Sequence, residues 1–482
     1  MAIYARLSWV LLHLRGYAEP AENENFVLSL AYARGGDTSR TALLENGIFP
    51  IYPDLFHRLV ALLPGDPATA ARLVSCCAVL ACALAVFLYA RQTTRSWALS
   101  IGAALAVYGS ANHLLYFLIA RADALFVLLG TLALICAALA GTRFSRPWAC
   151  LAGVLAALSV LTKQTGLIYA TLAPAAGALN FRGNGRSAWR LSLFFAASFL
   201  LAAGIYTLGV SPDVPTYFLN GLKIYAADGS WEHLALHLRI FAEQGYAAHF
   251  GLLLVLVLIL KGPAPRAKAI MVLLLLAGLG ASAKMWMNIG AVSNNFVLLS
   301  SVSSVVWIEL YSRLDTANGR RAALACLAAS VALLGFANVR RSDFGVHIAR
   351  SLENGDADNL ALGRKLEAFH APILSDRLDY FVNAAHAVPE FESSVLTSLF
   401  LGQTGALPAA SREDLKRLRD KIGRRIEERA YSLVLVGISA KNFLTAFPQI
   451  ERCYRTVGSQ PVQQGFFAFE VDLKVPKESC TN

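Results

Sequence analysis

Hydrophobic positions along this chain do not alternate strictly with polar ones; they gather into eleven apolar runs. The first, residues 3–14, is short. The others cover approximately residues 68–90, 98–112, 122–140, 148–161, 165–181, 191–210, 249–260, 269–283, 294–311 and 322–338. Runs of about 15 to 23 apolar residues cross or nearly cross a hydrocarbon layer about 30 Å thick, so the pattern predicts about eleven transmembrane helices. The shorter runs must tilt little, borrow flanking residues or dip in partway.

The connections test this reading independently, because short cytoplasmic loops are enriched in Lys and Arg. Alternate loops carry Arg91 and Arg95; Arg143 and Arg146; Arg182, Arg186 and Arg190; Lys261, Arg266 and Lys268; Arg313, Arg320 and Arg321, against one acid, Asp315. The intervening short connections hold isolated charges: Arg121 with Asp123, then Lys163, then Lys284. The unbroken alternation predicts a cytoplasmic N-terminus and an exported C-terminus. It also accounts for the charge, since those five loops carry a net +12, slightly more than the formal +11 of the whole chain, and no nucleic-acid face is needed. With 56% hydrophobic and only 16% charged residues, the chain lies outside the disordered and disulfide-scaffold classes.

Two outer segments, residues 15–66 and 211–248, are too long and polar for simple turns, and structureless loops of that length are usually functional. From residue 340 to 482 the composition becomes that of a soluble α/β domain. Short buried strands are expected at 371–374 and 432–436, a charged helix at 411–429 opened by Ser411-Arg-Glu-Asp414, and an alternating strand at 466–473. The division is thus a membrane domain over 1–339 and an exported domain over 340–482. Six cysteines fall within apolar runs as small hydrophobes; only Cys453 and Cys480 lie in the exported domain, where a disulfide between them is open either way.

The outer end of the first run leads into Glu19, Glu22 and Glu24, then an amphipathic stretch to Ala31. A carboxylate there suits a general base that takes a proton from an acceptor hydroxyl. Acids at the start of a loop helix also simply complement its dipole, and spacing alone favours that plainer role. Arg121, Lys163 and Lys284 each read singly as snorkelling anchors. Together on one side they suit a polyprenyl phosphate head, whose departure requires fixed positive charge. Glu309 is four residues before Arg313, which predicts a local ion pair.

Arg121-Ala-Asp123 opening a span, Leu-Thr-Lys-Gln-Thr-Gly at 161–166, Gly-Ala-x-Ser-Asn-Asn-Phe at 290–296, and an acid in the first exported loop resemble the GT-C membrane glycosyltransferases. The similarity is to bacterial aminoarabinose and galacturonic acid transferases and, more distantly, to protein mannosyltransferases. It implies transfer of a sugar from a polyprenyl-phosphate donor to a glycan, lipid or protein acceptor outside a bacterial plasma membrane. By position it makes Glu24 the catalytic base, with Asn23 where an aspartate is usual and Glu22 as rival. Lys163 and Gln164, with Arg121 and Lys284, would contact donor phosphate. Asp123, Asn294, Asn295, Tyr52 and Asp54 would support the site, the last two through a Gly-x-x-Tyr-Pro-like loop element at 47–54 whose prolines and aromatics equally suit a hairpin on the membrane surface. Family members that bind a divalent metal use further acids or histidines; the candidates here are His57, His113 and His249, each read as a hydrogen-bonded interfacial residue. The competing class is a transporter or lipid-linked sugar flippase, which would show mid-membrane charge pairs and repeat-related broken helices that this sequence does not display.

Overall fold

A computed structural model describes residues 52–108, 121–143, 145–181, 185–227, 230–287, 296–340, 361–369, 372–376, 409–437, 440–464 and 467–480, with shorter pieces at 28–29, 32–33, 39, 43, 357–358 and 389–391. The first apolar run, Glu22, Glu24, His113, Asn294 and Asn295 lie outside the described residues.

Each of the ten later runs coincides with a helix. In order these are α2 (Pro67–Thr94), α3 (Trp97–Tyr108), α4 (Asp123–Arg143), α5 (Arg146–Thr162), α6 (Leu167–Asn180), α7 (Gly185–Gly209), α10 (Tyr246–Ile259), α11 (Pro265–Trp286), α12 (Phe296–Ser312) and α13 (Ala317–Arg340). A short α1 (Leu55–Ala61) precedes them, and α8 (Val214–Ala227) and α9 (Trp231–Glu243) occupy the long 211–248 segment. Among the described residues five helices are long and apolar enough to cross a membrane, six if α9 and α10, bent by 77°, form one broken span. The α3, α5 and α12 helices are apolar but shorter, so the expected eleven spans exceed the number that length alone certifies.

Local chemistry sets the boundaries. Pro67 opens α2 behind Asp66, whose carboxylate accepts from Thr69 N at 2.9 Å, satisfying a donor at the helix start. Small residues bring helices together. A Cβ on Gly130 would fall 2.1 Å from the Tyr169 ring, and one on Gly141 the same distance from the Gly177 carbonyl, which locks α4 against α6. The core of this bundle is one continuous apolar cluster from Phe56 to Leu334. Helix ends expected on the same side do meet: the start of α4 adjoins the end of α5, and at the opposite pole the ends of α2, α6 and α12 converge.

The C-terminal region forms a five-stranded mixed sheet in the order β2-β1-β3-β5-β4, with β1 (Ile373–Ser375) parallel to β2 (Pro389–Phe391) and β3 (Leu433–Val436), and β5 (Phe467–Pro476) antiparallel to β3 and β4 (Tyr454–Gln464). Helix α14 (Ala409–Glu427) buries Leu415, Leu418, Ile422 and Ile426 against it, joined by α15 (Ala440–Ala446) and α16 (Gln449–Cys453). The strand β4 has no counterpart among the elements expected from the sequence; it carries Gly458 and Pro461, and its place at the sheet edge, with a bulge between Thr456 and Gly458, is where a sheet tolerates them. Cys453 and Cys480 are joined as a disulfide.

Candidate functional site

Lys163 ends α5 by turning extended (φ −156°, ψ 139°), and a single 3₁₀ turn over Gln164–Gly166 leads into α6. Glycine is required at the close of that turn, since a Cβ on Gly166 would lie 2.4 Å from the Ser159 carbonyl carbon. The turn therefore delivers Lys163 and Gln164 inward. Lys163 Nζ donates to Asp123 Oδ1 at 2.6 Å, and Arg121 Nε donates to Asp123 Oδ2 at 2.9 Å. The three are only 6%, 2% and 7% exposed in the order Lys163, Asp123, Arg121. Two cations thus share one carboxylate in a site largely closed to solvent. Lysine has three N–H donors, of which the Asp123 bond uses one; the Tyr52 and Phe126 rings stand 5.4 and 5.5 Å from Nζ. Gln164 Nε2 reaches the Tyr217 carbonyl on α8 at 3.5 Å, and the buried Thr165 hydroxyl meets no partner among the described residues.

Asp54, also placed at the site from its motif, is fully buried and differently engaged. Its Oδ2 accepts from Tyr32 Oη (2.7 Å), Arg58 Nε (2.7 Å) and Ser211 Oγ (2.8 Å), and its Oδ1 from Tyr206 Oη (2.8 Å). Burial opposes its charge, yet the Tyr32 and Ser211 hydrogen bonds and the Arg58 guanidinium hold its carboxyl below the usual carboxylate range. Burial and the same negative charge push the Tyr32 hydroxyl well up. The result is a knot tying the first outer segment, α1 and the end of α7. Tyr52 packs against the core of the C-terminal region while facing Lys163, so it links the two regions at the triad.

Other expected residues separate from this group. Lys284 is exposed near the end of α11 and makes no described contact with the triad. His57 is hydrogen-bonded, with Nδ1 2.9 Å from Ser29 Oγ. His249 is not: it is buried beside Trp307 with both ring nitrogens unpartnered among the described residues, which corrects the reading of it as a hydrogen-bonded interfacial residue. The described residues contain no group of three or more His, Cys, Asp or Glu placed to hold a metal.

Arg72 is not among the residues expected at the site. It sits within the second apolar run, is fully buried, and lies one turn from Ser75, whose hydroxyl donates to the Arg121 carbonyl at 3.1 Å. An arginine inside an apolar run was itself the available signal. At the opposite pole the Glu309–Arg313 ion pair forms as expected. The sequence did not foretell that Tyr89 Oη and Asn180 Nδ2 also donate to Glu309, or that the Arg313 guanidinium reaches the Leu179 carbonyl at 3.2 Å.

Comparison with known proteins bears on what this geometry belongs to. Residues 49–209 match the dolichyl-phosphate-mannose-protein mannosyltransferase family, a stretch that contains Asp54, the triad and Gln164. No curated protein matches the chain by sequence. Among solved structures, ArnT from Cupriavidus metallidurans bound to undecaprenyl phosphate superimposes with a TM-score of 0.59 at 13% identity, covering 98% of this chain and 96% of that one. Its apo form gives 0.51 at 12% identity, covering 97% and 96%. The Archaeoglobus fulgidus oligosaccharyltransferase in the apo form gives 0.49 at 12% identity, covering 99% of this chain and 76% of that one. The resemblance expected from the short motifs holds at the level of architecture: the chain has the fold of the GT-C membrane glycosyltransferases.

Proposed function

We propose that this chain is an integral membrane glycosyltransferase that moves a sugar from a polyprenyl-phosphate donor to a glycan, lipid or protein acceptor on the exported face, with inversion at the anomeric carbon. The observation that carries this reading is the buried Arg121–Asp123–Lys163 cluster, which places two cations on one carboxylate at the mouth of the helix bundle. Two cations held in a water-poor site of this kind favour the charge that develops on a departing phosphate more than the charge already present in the donor, and so lower the barrier and not merely the dissociation constant. The fold likeness to a protein crystallised with undecaprenyl phosphate supports a polyprenyl phosphate as the carrier.

In the proposed reaction a carboxylate, Glu24 with Glu22 as the alternative, removes the proton from the acceptor hydroxyl. The oxygen attacks the anomeric carbon from the face opposite the phosphate. The bond from carbon to phosphate oxygen breaks, and its electron pair stays on the phosphate beside Lys163 and Arg121. Asp123 holds both cations in orientation, and the Thr165 hydroxyl and Gln164 amide supply neighbouring polar groups. Lys284, being exposed, serves at most the outer approach. The loop charges support a cytoplasmic N-terminus and an exported C-terminal region, and the resemblance to bacterial aminoarabinose transferases supports a bacterial plasma membrane.

Purified protein is incubated with radiolabelled polyprenyl-phosphate sugars and cell-envelope acceptors. Wild type should release the unsugared lipid phosphate, and Glu24→Gln should abolish release while still binding donor. Activity surviving in Glu24→Gln but lost in Glu22→Gln moves the base by two residues. Transport of intact donor without cleavage would sink the enzymatic reading altogether.

A further inference from the structure

The reaction above leaves one polar feature of the C-terminal region unused. Beside the face of α14 that enters the core runs a second face, and it borders a groove of about 1040 Å³ walled on the other side by Ala446, Phe447, Pro448 and Gln449. Four cations line it, Arg412, Lys416, Arg419 and Arg424, against two carboxylates, Asp420 and Glu427. Glu427 is engaged by Arg452 at 3.6 Å. Arg412 and Lys416 are exposed and form no ion pair with any described residue. Gln449 turns a carbonyl oxygen into a buried position where no described donor meets it.

This lining is selective in its chemistry. Unpaired cations suit an anion, and arginine suits a phosphate or carboxylate in particular. The carboxylates would repel a uniform polyanion, but they accept hydrogen bonds from hydroxyls. Buried Leu415, Ala446 and Phe447 give the groove an apolar floor. An anion that is also polyhydroxylated matches all three.

Position points the same way. Ser411, the residue before Arg412, lies 3.1 Å through its hydroxyl from Asn220 Oδ1. Asn220 is on α8, three residues after Tyr217, whose carbonyl accepts from Gln164. The Arg412 end of the groove therefore adjoins the helix that contacts the Lys163–Gln164 turn.

We propose that this groove binds the phosphorylated part of a glycan acceptor and so presents its hydroxyl toward the triad. This rests on the glycosyl-transfer reading, and the test keeps the two apart. Full-length protein in detergent is titrated calorimetrically with maltotriose 6-phosphate and with maltotriose, and separately with undecaprenyl phosphate. The phosphorylated sugar should bind wild type at least tenfold more tightly than maltotriose. Arg412→Glu/Lys416→Glu should weaken that binding at least tenfold and leave undecaprenyl phosphate binding unchanged. The charge-matched control Arg417→Glu/Arg455→Glu, both exposed and outside the groove, should bind like wild type. No binding of the phosphorylated sugar to wild type, equal binding of the two sugars, or equal losses in both variants would overturn the groove assignment, as would tighter binding of a phosphoserine peptide. Loss of undecaprenyl phosphate binding in wild type would instead count against the donor reading and not against the groove.

Discussion

Two aspartates lie buried near the same mouth of the helix bundle, and they are solvated by the protein in opposite ways. Asp54 receives three hydroxyls and one guanidinium, so its charge is dispersed over four donors and only one cation stands beside it. That cation, Arg58, keeps 31% of its side chain in contact with solvent. Asp123 receives two cations, both nearly closed off. The first arrangement is saturated and electrically balanced, which is what a structural pin requires. The second sets two cations against one carboxylate, and the Lys163 ammonium has donors beyond the one that Asp123 takes. Glu309 at the opposite pole resembles Asp54, with one arginine plus tyrosine and asparagine donors around a single carboxylate. Burial of a carboxylate therefore does not mark a site here; the meeting of two buried cations on one carboxylate does.

The comparison breaks most sharply at Asp123. Removing one member of a buried ion cluster leaves the rest uncompensated and costs about 3–5 kcal/mol. Asp123→Asn should accordingly lower the thermal midpoint in detergent severely and abolish donor cleavage. Adding Lys163→Met to Asp123→Asn removes one of the stranded cations. The double variant should regain part of the stability, but none of the activity, because Lys163 is the group assigned to the phosphate. Recovery of activity in the double variant would reduce the triad to a structural pin like Asp54.

Asp54→Asn should cost less, about 1.5–3 kcal/mol for charge-assisted hydrogen bonds, since Arg58 can turn to water. Its pH behaviour follows from sign. The folded carboxyl titrates below the usual carboxylate value, so its stabilisation is complete above about pH 4, the unfolded value, and is lost as pH falls through the lower folded value. Wild type should hold a level midpoint from pH 5 to 8 as far as this group is concerned. The gap between wild type and Asp54→Asn should shrink below about pH 4. A gap that stays constant down to pH 2 would mean that charge is not what Asp54 contributes.

How far the sequence reveals these sites depends on how far apart in the chain their partners lie. The apolar runs and the alternating loop charges foretell ten helices and which of their ends share a side, because hydropathy and loop charge are local properties. Arg121 and Asp123 are two residues apart, and Glu309 and Arg313 four, so both pairings are legible. The Asp54 knot is not: Tyr206 and Ser211 arrive from 152 and 157 residues away, and nothing in a hydroxyl's neighbours says which carboxylate it will meet. Arg72 is legible as a local exception, a fully buried arginine inside an apolar run. The edge strand β4 was hidden by Gly458 and Pro461, residues that only tertiary position makes tolerable.

The finest distinction between the two aspartates is Tyr52, whose ring stands over Lys163 and whose other contacts reach the C-terminal core. A cation over an aromatic face is worth about 1 kcal/mol when partly desolvated, and the energy resides in the ring, not in the hydroxyl. Tyr52→Phe should therefore leave undecaprenyl phosphate affinity unchanged. Tyr52→Leu keeps much of the apolar packing but removes the ring, so it should lose about 1 kcal/mol, a roughly fivefold weakening, in undecaprenyl phosphate affinity. Glu309 lies at the opposite pole of the bundle, so Glu309→Gln combined with Tyr52→Leu should show additive losses. Lys163→Met combined with Tyr52→Leu should not, because once the ammonium is gone the ring has nothing left to steady. Additivity in the second pair would mean that Tyr52 acts on the C-terminal region alone and that the triad is organised without it.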